Sequence, residues 1–331
     1  MANGGLIRFG VLGAARIAPA ALVKPAVRSR RATVYAVAAR DRTRAESFAA
    51  KHNVTRVHAD YAALLADPDI DAIYNPLPNG LHAEWTIAAL EAGKHVLCEK
   101  PFTNNAAEAE RVAAVAERYP DRVVMEAFHY RYHPFAERMR AICADGELGP
   151  LEHVEASFCF PLWRSSDIRW KYDLGGGALM DAGCYAVHMV RLLGGSEPEV
   201  TSATAKLRHP DVDRAMTAEL AFPDGVTGRI TASMWSTSVL RISAGARGSD
   251  GRLTAFNPLM PSMFGKLTVK DHRGKFSERA DKKATYDYQL EAFCAAVLDG
   301  GPVLTPPADS IATMRVIDAI YTAAGMQPRG T

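Results

Sequence analysis

Short apolar segments alternate with helical segments through the first 126 residues of the chain. Strands that alternate with helices in this way predict βαβ units around a parallel sheet. The predicted strands cover residues 7–12, 33–39, 72–75, 95–98 and 122–126, and the predicted helices cover 14–28, 42–51, 82–92 and 106–118.

The pattern changes after residue 128, where strand-like segments follow one another through short turns such as Pro223-Asp224-Gly225. Runs of strands with short turns predict a mainly antiparallel sheet. The predicted strands cover 152–160, 199–207, 215–222, 227–235, 240–246 and 266–270, with helices over 178–193, 288–298 and 310–324. The fold class is therefore α/β plus α+β, with a first domain over 1–128 and a second over 129–331.

Composition excludes several classes of protein. Lys and Arg total 39 against 37 Asp and Glu, so the net charge of +2 argues against a nucleic-acid partner. No apolar stretch approaches the ~18 residues of a transmembrane helix, and no secretory signal is evident. The odd number of scattered Cys residues (98, 143, 159, 184 and 294) indicates reduced thiols in a cytoplasmic protein without a zinc site.

A glycine loop follows the first strand, in the sequence Gly10-Val-Leu-Gly13-Ala-Ala15-Arg-Ile-Ala18. Backbone N–H groups at a helix start suit a pyrophosphate, and the spacing is an imperfect Rossmann fingerprint with Ala15 in place of the second glycine. A strand–turn–helix without a ligand explains the loop equally well. The candidate cofactor contacts here are Gly10, Gly13, Ala15, Arg16 and Ile17.

The end of the second predicted strand bears on the choice of cofactor. It reads Ala38-Ala39-Arg40, with Asp41 and Arg44 close behind. An Asp or Glu here binds the ribose hydroxyl of NAD, whereas an Arg accommodates the 2′-phosphate of NADP. Arg40 favours NADP, although Asp41 as a ribose ligand in a shifted register and a solvated basic loop remain open.

Two further motifs follow the third and fourth strands, at the ends where ligands bind in open α/β sheets. They are Pro76-Leu77-Pro78-Asn79-Gly-Leu-His82 and Cys98-Glu99-Lys100-Pro101. Lys100 could reach a nicotinamide from this position, and an ordinary surface lysine in a turn is the alternative.

These motifs, with Glu126–Pro134 and Gly175–Tyr185, resemble the Gfo/Idh/MocA oxidoreductase family over nearly the whole chain. AVAARD at 36–41, VLCEKP at 96–101 and Tyr185 resemble the branch of dimeric dihydrodiol dehydrogenase, NADP-dependent xylose dehydrogenase and glucose–fructose oxidoreductase. The resemblance implies that Lys100 is the catalytic lysine. It also implies cofactor contacts from Glu99 and Lys100 and from Pro76, Leu77, Asn79 and His82.

Many family members carry an Asp-xxx-His pair in the second domain, whereas this sequence has Asp181 and Tyr185. Residues four apart share a helix face, and His188 lies three residues further on. The free pKa of tyrosine, near ~10, is high for a base at neutral pH, and a nearby ammonium such as Lys100 favours tyrosinate. Which of Lys100 and Tyr185 takes the proton stays open, as does a purely structural role for Asp181 and Tyr185.

Several side chains around this region are candidate substrate contacts. Trp163-Arg164 and Arg169-Trp170 lie in a loop before the glycine run, where sugar binding and ordinary packing are equally plausible. His129 and His133 have i,i+4 spacing, but no carboxylate completes a zinc motif, so no metal is expected. The candidate substrate contacts are Arg131, Arg169, Trp170, Asp181, Tyr185 and His188.

The predicted function is hydride transfer between NADP, or less favourably NAD, and a sugar or a cyclic trans-dihydrodiol. A cofactor-binding regulatory protein without turnover and an enzyme with permanently held NADP are the alternatives. Relatives dimerise through their C-terminal sheets, so a homo-oligomer, dimer or tetramer, is expected through the strands near 215–246.

Overall fold

A computed structural model describes residues 5–235 and 240–331, which form two compact units. Within the described residues, the first unit comprises 5–103, 107–129 and 286–310. The second comprises 104–106, 130–285 and 311–331. The first unit thus includes residues 286–310, a segment that the sequence analysis assigned to the second domain.

The sheet of the first unit has six parallel strands. They are β1 (Ile7–Leu12), β2 (Ala32–Ala38), β3 (Arg56–Val57), β4 (Ala72–Asn75), β5 (His95–Cys98) and β6 (Val124–Glu126). Their order is β3-β2-β1-β4-β5-β6, so the direction of strand addition reverses between β1 and β4. This confirms the predicted Rossmann sheet, in which ligands bind outside the carboxyl ends of the strands at such a reversal.

Most of the helices agree with predicted elements apart from their ends. They are α1 (Lys24–Arg28), α2 (Arg42–His52), α3 (Tyr61–Leu65), α4 (His82–Glu91), α5 (Ala106–Glu117), α6 (Pro134–Ala144), α7 (Cys184–Gly194), α8 (Thr285–Asp299) and α9 (Pro307–Ala323). No helix in the described part of the chain is both long enough and apolar enough to cross a membrane. All five Cys side chains are buried thiols.

The sheet of the second unit has eight strands and is mainly antiparallel, as predicted. They are β7 (Leu151–Cys159), β8 (Glu199–His209), β9 (Val212–Ala221), β10 (Thr227–Ser233), β11 (Arg241–Gly248), β12 (Gly251–Phe256), β13 (Lys266–Asp271) and β14 (Gly274–Arg279). Their order is β14-β13-β12-β11-β7-β10-β9-β8, and β7 and β10 form a parallel pair in its middle. Helix α7 packs against β7 and β10.

Three strands and the helix α3 were not predicted, and two predicted helices differ from their predictions. The predicted helix over 14–28 contains a π-helical turn at Pro19–Val23 followed by α1. Strand β14 is exposed at every position, so it lacks the apolar alternation that identifies a half-buried strand. The strands β3 and β12 were also missed. The predicted helix over 178–193 consists of a π-helical turn at Leu179–Gly183 followed by α7. Asp181 lies in the π-helical turn, whereas Tyr185 lies in the regular helix α7.

Candidate active site

The glycine loop is shaped by packing beneath it. A Cβ on Gly10 would lie 2.7 Å from Leu64 Cδ2, so only glycine lets β1 pack this closely against α3. Gly13 has φ +82°, in the left-handed region that favours glycine, and a Cβ there would lie 3.1 Å from Leu77 Cδ2. Leu77 is buried, so its side chain supports the loop from below. Gly10 therefore packs against Leu64, and Gly13 packs against Leu77.

The loop then runs toward solvent. Ala15 is half-buried, whereas Arg16 and Ile17 are exposed before the helical segment that starts near residue 18. Residues 15–17 are therefore the more exposed part of the loop.

The end of β2 presents guanidinium groups to solvent. Arg40 is exposed, and Arg44 donates from Nη2 to the Ala14 carbonyl at 3.3 Å. Asp41 instead caps α2, since its Oδ1 accepts from the Arg44 backbone N–H at 3.3 Å. Tyr61 was missed by the sequence analysis; burial raises its pKa, although an N–H from Arg40 counteracts this. The side chains of Arg40 and Arg44 are cationic, which fits a phosphate better than a ribose hydroxyl.

At the carboxyl end of β5, Glu99 is a buried carboxylate beside Lys100. The Tyr74 hydroxyl donates to Glu99 Oε1 at 2.7 Å, and the Lys100 backbone N–H donates to Oε2 at 3.3 Å. Tyr74 belongs to β4, the neighbouring strand. Both oxygens of Glu99 are therefore fixed, and the main chain of Lys100 is fixed with them.

His82 occupies the interior of this region. Its side chain is completely buried, with Nδ1 2.8 Å from the Pro101 carbonyl and Nε2 2.7 Å from the Leu77 carbonyl. Burial outweighs both contacts and lowers the pKa of His82 to about 4. The imidazole thus joins the loop that contains Leu77 to the loop that contains Pro101. Pro76 is buried and Asn79 half-buried in the first of these loops.

Two further aromatic groups of the first unit lie in the electrostatic field of Glu99 and Lys100. The His129 and Tyr286 rings contact each other at a tilt of 41°, with centroids 4.3 Å apart. Burial, and secondarily the Lys100 charge, lower the pKa of His129 to about 3. Burial, with the Glu99 charge, raises the pKa of Tyr286. Both groups are therefore neutral at physiological pH. The sequence analysis did not identify Tyr286.

In the second unit, Asp181 forms an ion pair with a predicted substrate contact. Asp181 Oδ2 lies 3.2 Å from Nε of Arg169. Gly177 joins the two residues through the main chain, because its N–H donates to the Arg169 carbonyl at 2.9 Å and its carbonyl accepts from the Asp181 N–H at 3.0 Å. The pair is thus held at both side chains and backbone.

Tyr185 lies one helical turn away in an aromatic cluster. It is 6% exposed, with its ring centroid 5.6 Å from Phe158 and 6.2 Å from Tyr130. The Tyr130 hydroxyl lies 2.5 Å from His188 Nδ1, and both residues are buried. Tyr130 was missed because nothing in the local sequence links it to His188, 58 residues further on.

The other predicted substrate contacts differ in their surroundings. Trp170 is 4% exposed and packs in an apolar cluster with Ala178. Arg131 lies 3.3 Å from Glu137 in an ion pair. Trp163, by contrast, is 73% exposed.

The His pair does not share a helix. His129 lies in a 3₁₀ turn, whereas His133 precedes α6 and caps it by accepting from the Phe135 N–H at 3.0 Å. Over residues 5–235 and 240–331, no group of three His, Cys, Asp or Glu side chains is placed to hold a metal ion.

Comparison with known families identifies the class of protein. Residues 7–127 match the family described as an oxidoreductase family with an NAD-binding Rossmann fold, Gfo/Idh/MocA. Residues 136–254 match the C-terminal domain of the same family. The chain belongs to the Gfo/Idh/MocA family, and it is an oxidoreductase.

Individual relatives narrow the comparison. The chain is 40% identical to D-xylose 1-dehydrogenase (NADP(+)) 2 of Haloferax volcanii over 96% of its own length and 97% of the relative. It is 36% identical to dTDP-3,4-didehydro-2,6-dideoxy-alpha-D-glucose 3-reductase of Actinomadura kijaniata, over 98% and 97%. The crystal structure of KijD10, a 3-ketoreductase from A. kijaniata in complex with NADP and TDP-benzene, superposes with a TM-score of 0.87 at 33% identity, covering 96% and 98% of the two chains.

Proposed function

We propose that this chain is an NADP-dependent oxidoreductase that transfers a hydride between nicotinamide and a secondary alcohol or carbonyl group of a sugar. The observation that carries the proposal is the fixed Glu99–Lys100 pair at the carboxyl end of β5 in a Rossmann unit. A lysine held at this end of a parallel sheet is placed to handle the proton of a reaction that occurs beside a bound dinucleotide.

NADP is the proposed cofactor because the residues after β2 fit its extra phosphate. Arg40 is exposed, and the Asp41 carboxylate is directed to the N-terminus of α2 instead of to a ribose. Guanidinium groups pair well with phosphate oxygens. The D-xylose dehydrogenase relative also uses NADP. The glycine loop would contribute the main chain of Gly13 to Ile17 to the binding of the cofactor's pyrophosphate.

Transfer of the alcohol proton is assigned to side chains of this protein. NADP supplies the hydride acceptor when it is bound, and the alcohol proton must then go to a base. We assign that proton transfer to Lys100 and Tyr185, without deciding which of them acts directly. Asp181 is already paired with Arg169, and we assign to that pair the orientation of the substrate hydroxyls.

The proposal also includes the location of the protein in the cell and its oligomeric state. A cytoplasmic homo-oligomer is the expected form, with the second sheet as its contact surface. Residues 236–239 of the expected 215–246 segment lie outside the described residues. Neither a nucleic acid nor a membrane is a proposed partner.

The test follows the absorbance of reduced nicotinamide with NADP⁺ or NAD⁺ and a panel of xylose, glucose, inositol and a cyclic trans-diol. The expected result is turnover of an aldose with NADP⁺ well above NAD⁺. Turnover with NAD⁺ alone would overturn the proposal that Arg40 binds the 2′-phosphate of NADP. Nucleotide binding without turnover of any alcohol would favour the regulatory alternative, and nicotinamide released on denaturation would favour a permanently held cofactor.

A further inference from the structure

A buried charged cluster in the second unit joins two distant segments to the loop that precedes Asp181. It consists of Asp213, Tyr321 and Arg329, here called the Asp213 cluster. Asp213 and Arg329 have no exposed surface, and Arg329 Nη2 donates to Asp213 Oδ1 at 2.9 Å. The Tyr321 hydroxyl donates to the same oxygen at 3.0 Å. Burying a charged pair is costly, so its retention calls for a role that apolar packing would not fill.

The cluster contacts the main chain on both sides of Gly177. Arg329 Nε donates to the Gly176 carbonyl at 2.8 Å, and Asp213 Oδ2 accepts from the Leu179 N–H at 2.7 Å. Leu179 starts the π-helical turn that contains Asp181. The cluster thus fixes the residue immediately before Gly177 and the second residue after it.

Gly177 is shaped for this contact. Its φ is +138°, and a Cβ at this position would overlap Asp213 Oδ1. Its own N–H and carbonyl are the groups that join Arg169 to Asp181. A shift of the cluster is therefore transmitted through Gly177 to both members of the Arg169–Asp181 pair.

We propose that Arg329, acting through Asp213 and Gly177, is a positioning residue that sets the Arg169–Asp181 pair and the start of the helix bearing Tyr185 for the reaction. This inference rests on the proposed function of those residues. Arg329 aligns the site by fixing the main chain that carries it, and it does not itself handle the proton or the hydride.

The primary test compares Arg329→Ala with the wild-type enzyme. The expected kcat is lower by about 10- to 100-fold, since a displacement of the order of 1 Å can have this effect. The dissociation constant for NADP should be unchanged, because the cofactor contacts belong to the first unit. Added guanidinium ion, far below denaturing concentrations, should restore part of kcat by occupying the vacated position.

Arg191→Ala is the matched control in the same unit. Arg191 is also buried, pairing with Glu197 at 2.6 Å and donating to Thr313 Oγ1 at 2.7 Å. Its removal should lower the melting temperature without a comparable loss of kcat and without guanidinium rescue. Equal losses of kcat in the two variants would mean that Arg329 acts only through stability, which would overturn the proposal.

Amide hydrogen exchange over residues 175–186 provides a readout that does not depend on turnover. Arg329→Ala should speed exchange there by at least about tenfold, because local opening becomes easier. Unchanged exchange would overturn the proposal, and so would faster exchange with unchanged kcat. A wild-type protein inactive on every alcohol would contradict the proposed function, while exchange would still report whether the cluster holds this segment.

Tyr321→Phe covers the case in which Arg329→Ala does not fold. This variant removes one hydrogen bond to Asp213 and keeps the ring, so an effect of about fivefold on kcat is expected. Exchange over 175–186 should increase in parallel. No change in either measurement would overturn the proposal.

Discussion

The two units hold their functional loops by different means. In the first, a neutral buried imidazole, His82, lies between the carbonyls of Leu77 and Pro101, and Glu99 is fixed by a tyrosine from the next strand. In the second, a fully buried ion pair, Asp213–Arg329, holds the main chain around Gly177. The contacts of the first arrangement join residues 5, 19 and 25 positions apart, whereas the ion pair joins residues 116 positions apart.

In the first unit the functional residues lie in local sequence motifs, whereas in the second unit they are held by contacts between distant segments. The residues of the first unit follow consecutive strands of one parallel sheet, so strand order alone brings their ends to the same edge. In the second unit, the main chain before Asp181 contacts Asp213 and Arg329, which no local pattern connects to it. Substitutions in the first unit should therefore change chemistry or cofactor choice, and substitutions in the cluster should change alignment.

The largest effect is expected from Lys100→Met, which removes the proposed proton-handling group of the first unit. The loss in kcat should be about 10³-fold, within the range of general acid–base catalysis. Stopped-flow or steady-state rates measure it, and NADP binding should be retained. Lys100→Arg is the control for charge, because a guanidinium stays protonated. Near-wild-type activity in Lys100→Arg would leave only an electrostatic role for the lysine.

The sequence predicted the first unit more completely than the second. The apolar strands and the turn residues beside them located Gly13, Arg40, Glu99 and Lys100, because each lies next to its own strand. It did not predict that His82 is completely buried, since a histidine in a loop has the same local signature whether it touches a ligand or packs.

The second unit was less predictable for physical reasons. The exposed strand β14 carries no apolar alternation, and the π-helical turn before α7 has no distinctive composition in this sequence. Trp170 is equally suited to a sugar surface and to a core, and its packing in an apolar cluster could not be predicted from its neighbours in the sequence. The Asp213 cluster depends on pairing between remote segments, which a single sequence does not reveal.

Tyr185→Phe should produce the next largest effect, and it tests whether the second unit also contributes to proton transfer. Loss of the hydroxyl should lower kcat by about 10²-fold. Steady-state kinetics on the same substrate provide the measurement. Tyr119→Phe, at a half-buried position of the first unit beside Arg118, is the matched control and should be neutral. A Tyr185→Phe enzyme with unchanged kcat would place proton transfer in the first unit alone.

Arg40→Ala should weaken NADP binding by about tenfold or more and leave NAD binding nearly unchanged, since a hydrogen bond to a charged group contributes about 1.5–3 kcal/mol. The ratio of kcat/KM for the two cofactors is the measurement. Arg42→Ala is the control, because Arg42 pairs with Glu46 at 2.8 Å on the exposed face of α2. Equal weakening by both substitutions would indicate a general charge effect, and no weakening by either would remove the stated basis for NADP selectivity.

The smallest effect concerns acid stability. The first unit is expected to be the more sensitive of the two, although burial also lowers the pKa of His133 in the second unit. Burial holds the pKa of His82 at about 4, compared with 6.5 for a free histidine, and lowers those of His95 and His129 as well. Between these pH values the unfolded chain binds a proton that the folded unit does not, so acid favours unfolding. From pH 7 to 5.5, each such histidine should contribute about 1 kcal/mol of lost stability.

Hydrogen exchange read separately over β4 and β5 and over the second sheet measures this loss in each unit. In His82→Asn, the protection lost between pH 7 and 5.5 should be smaller than in the wild type, because one titrating group is gone. His209→Asn, at an exposed position of the second unit, should leave the pH dependence unchanged. If acid reduced protection equally in both sheets, or if His82→Asn kept the full wild-type dependence, neutral imidazole burial would not be what distinguishes the first unit. The two units would then have to be distinguished by another property, such as the response of the Asp213 cluster to guanidinium.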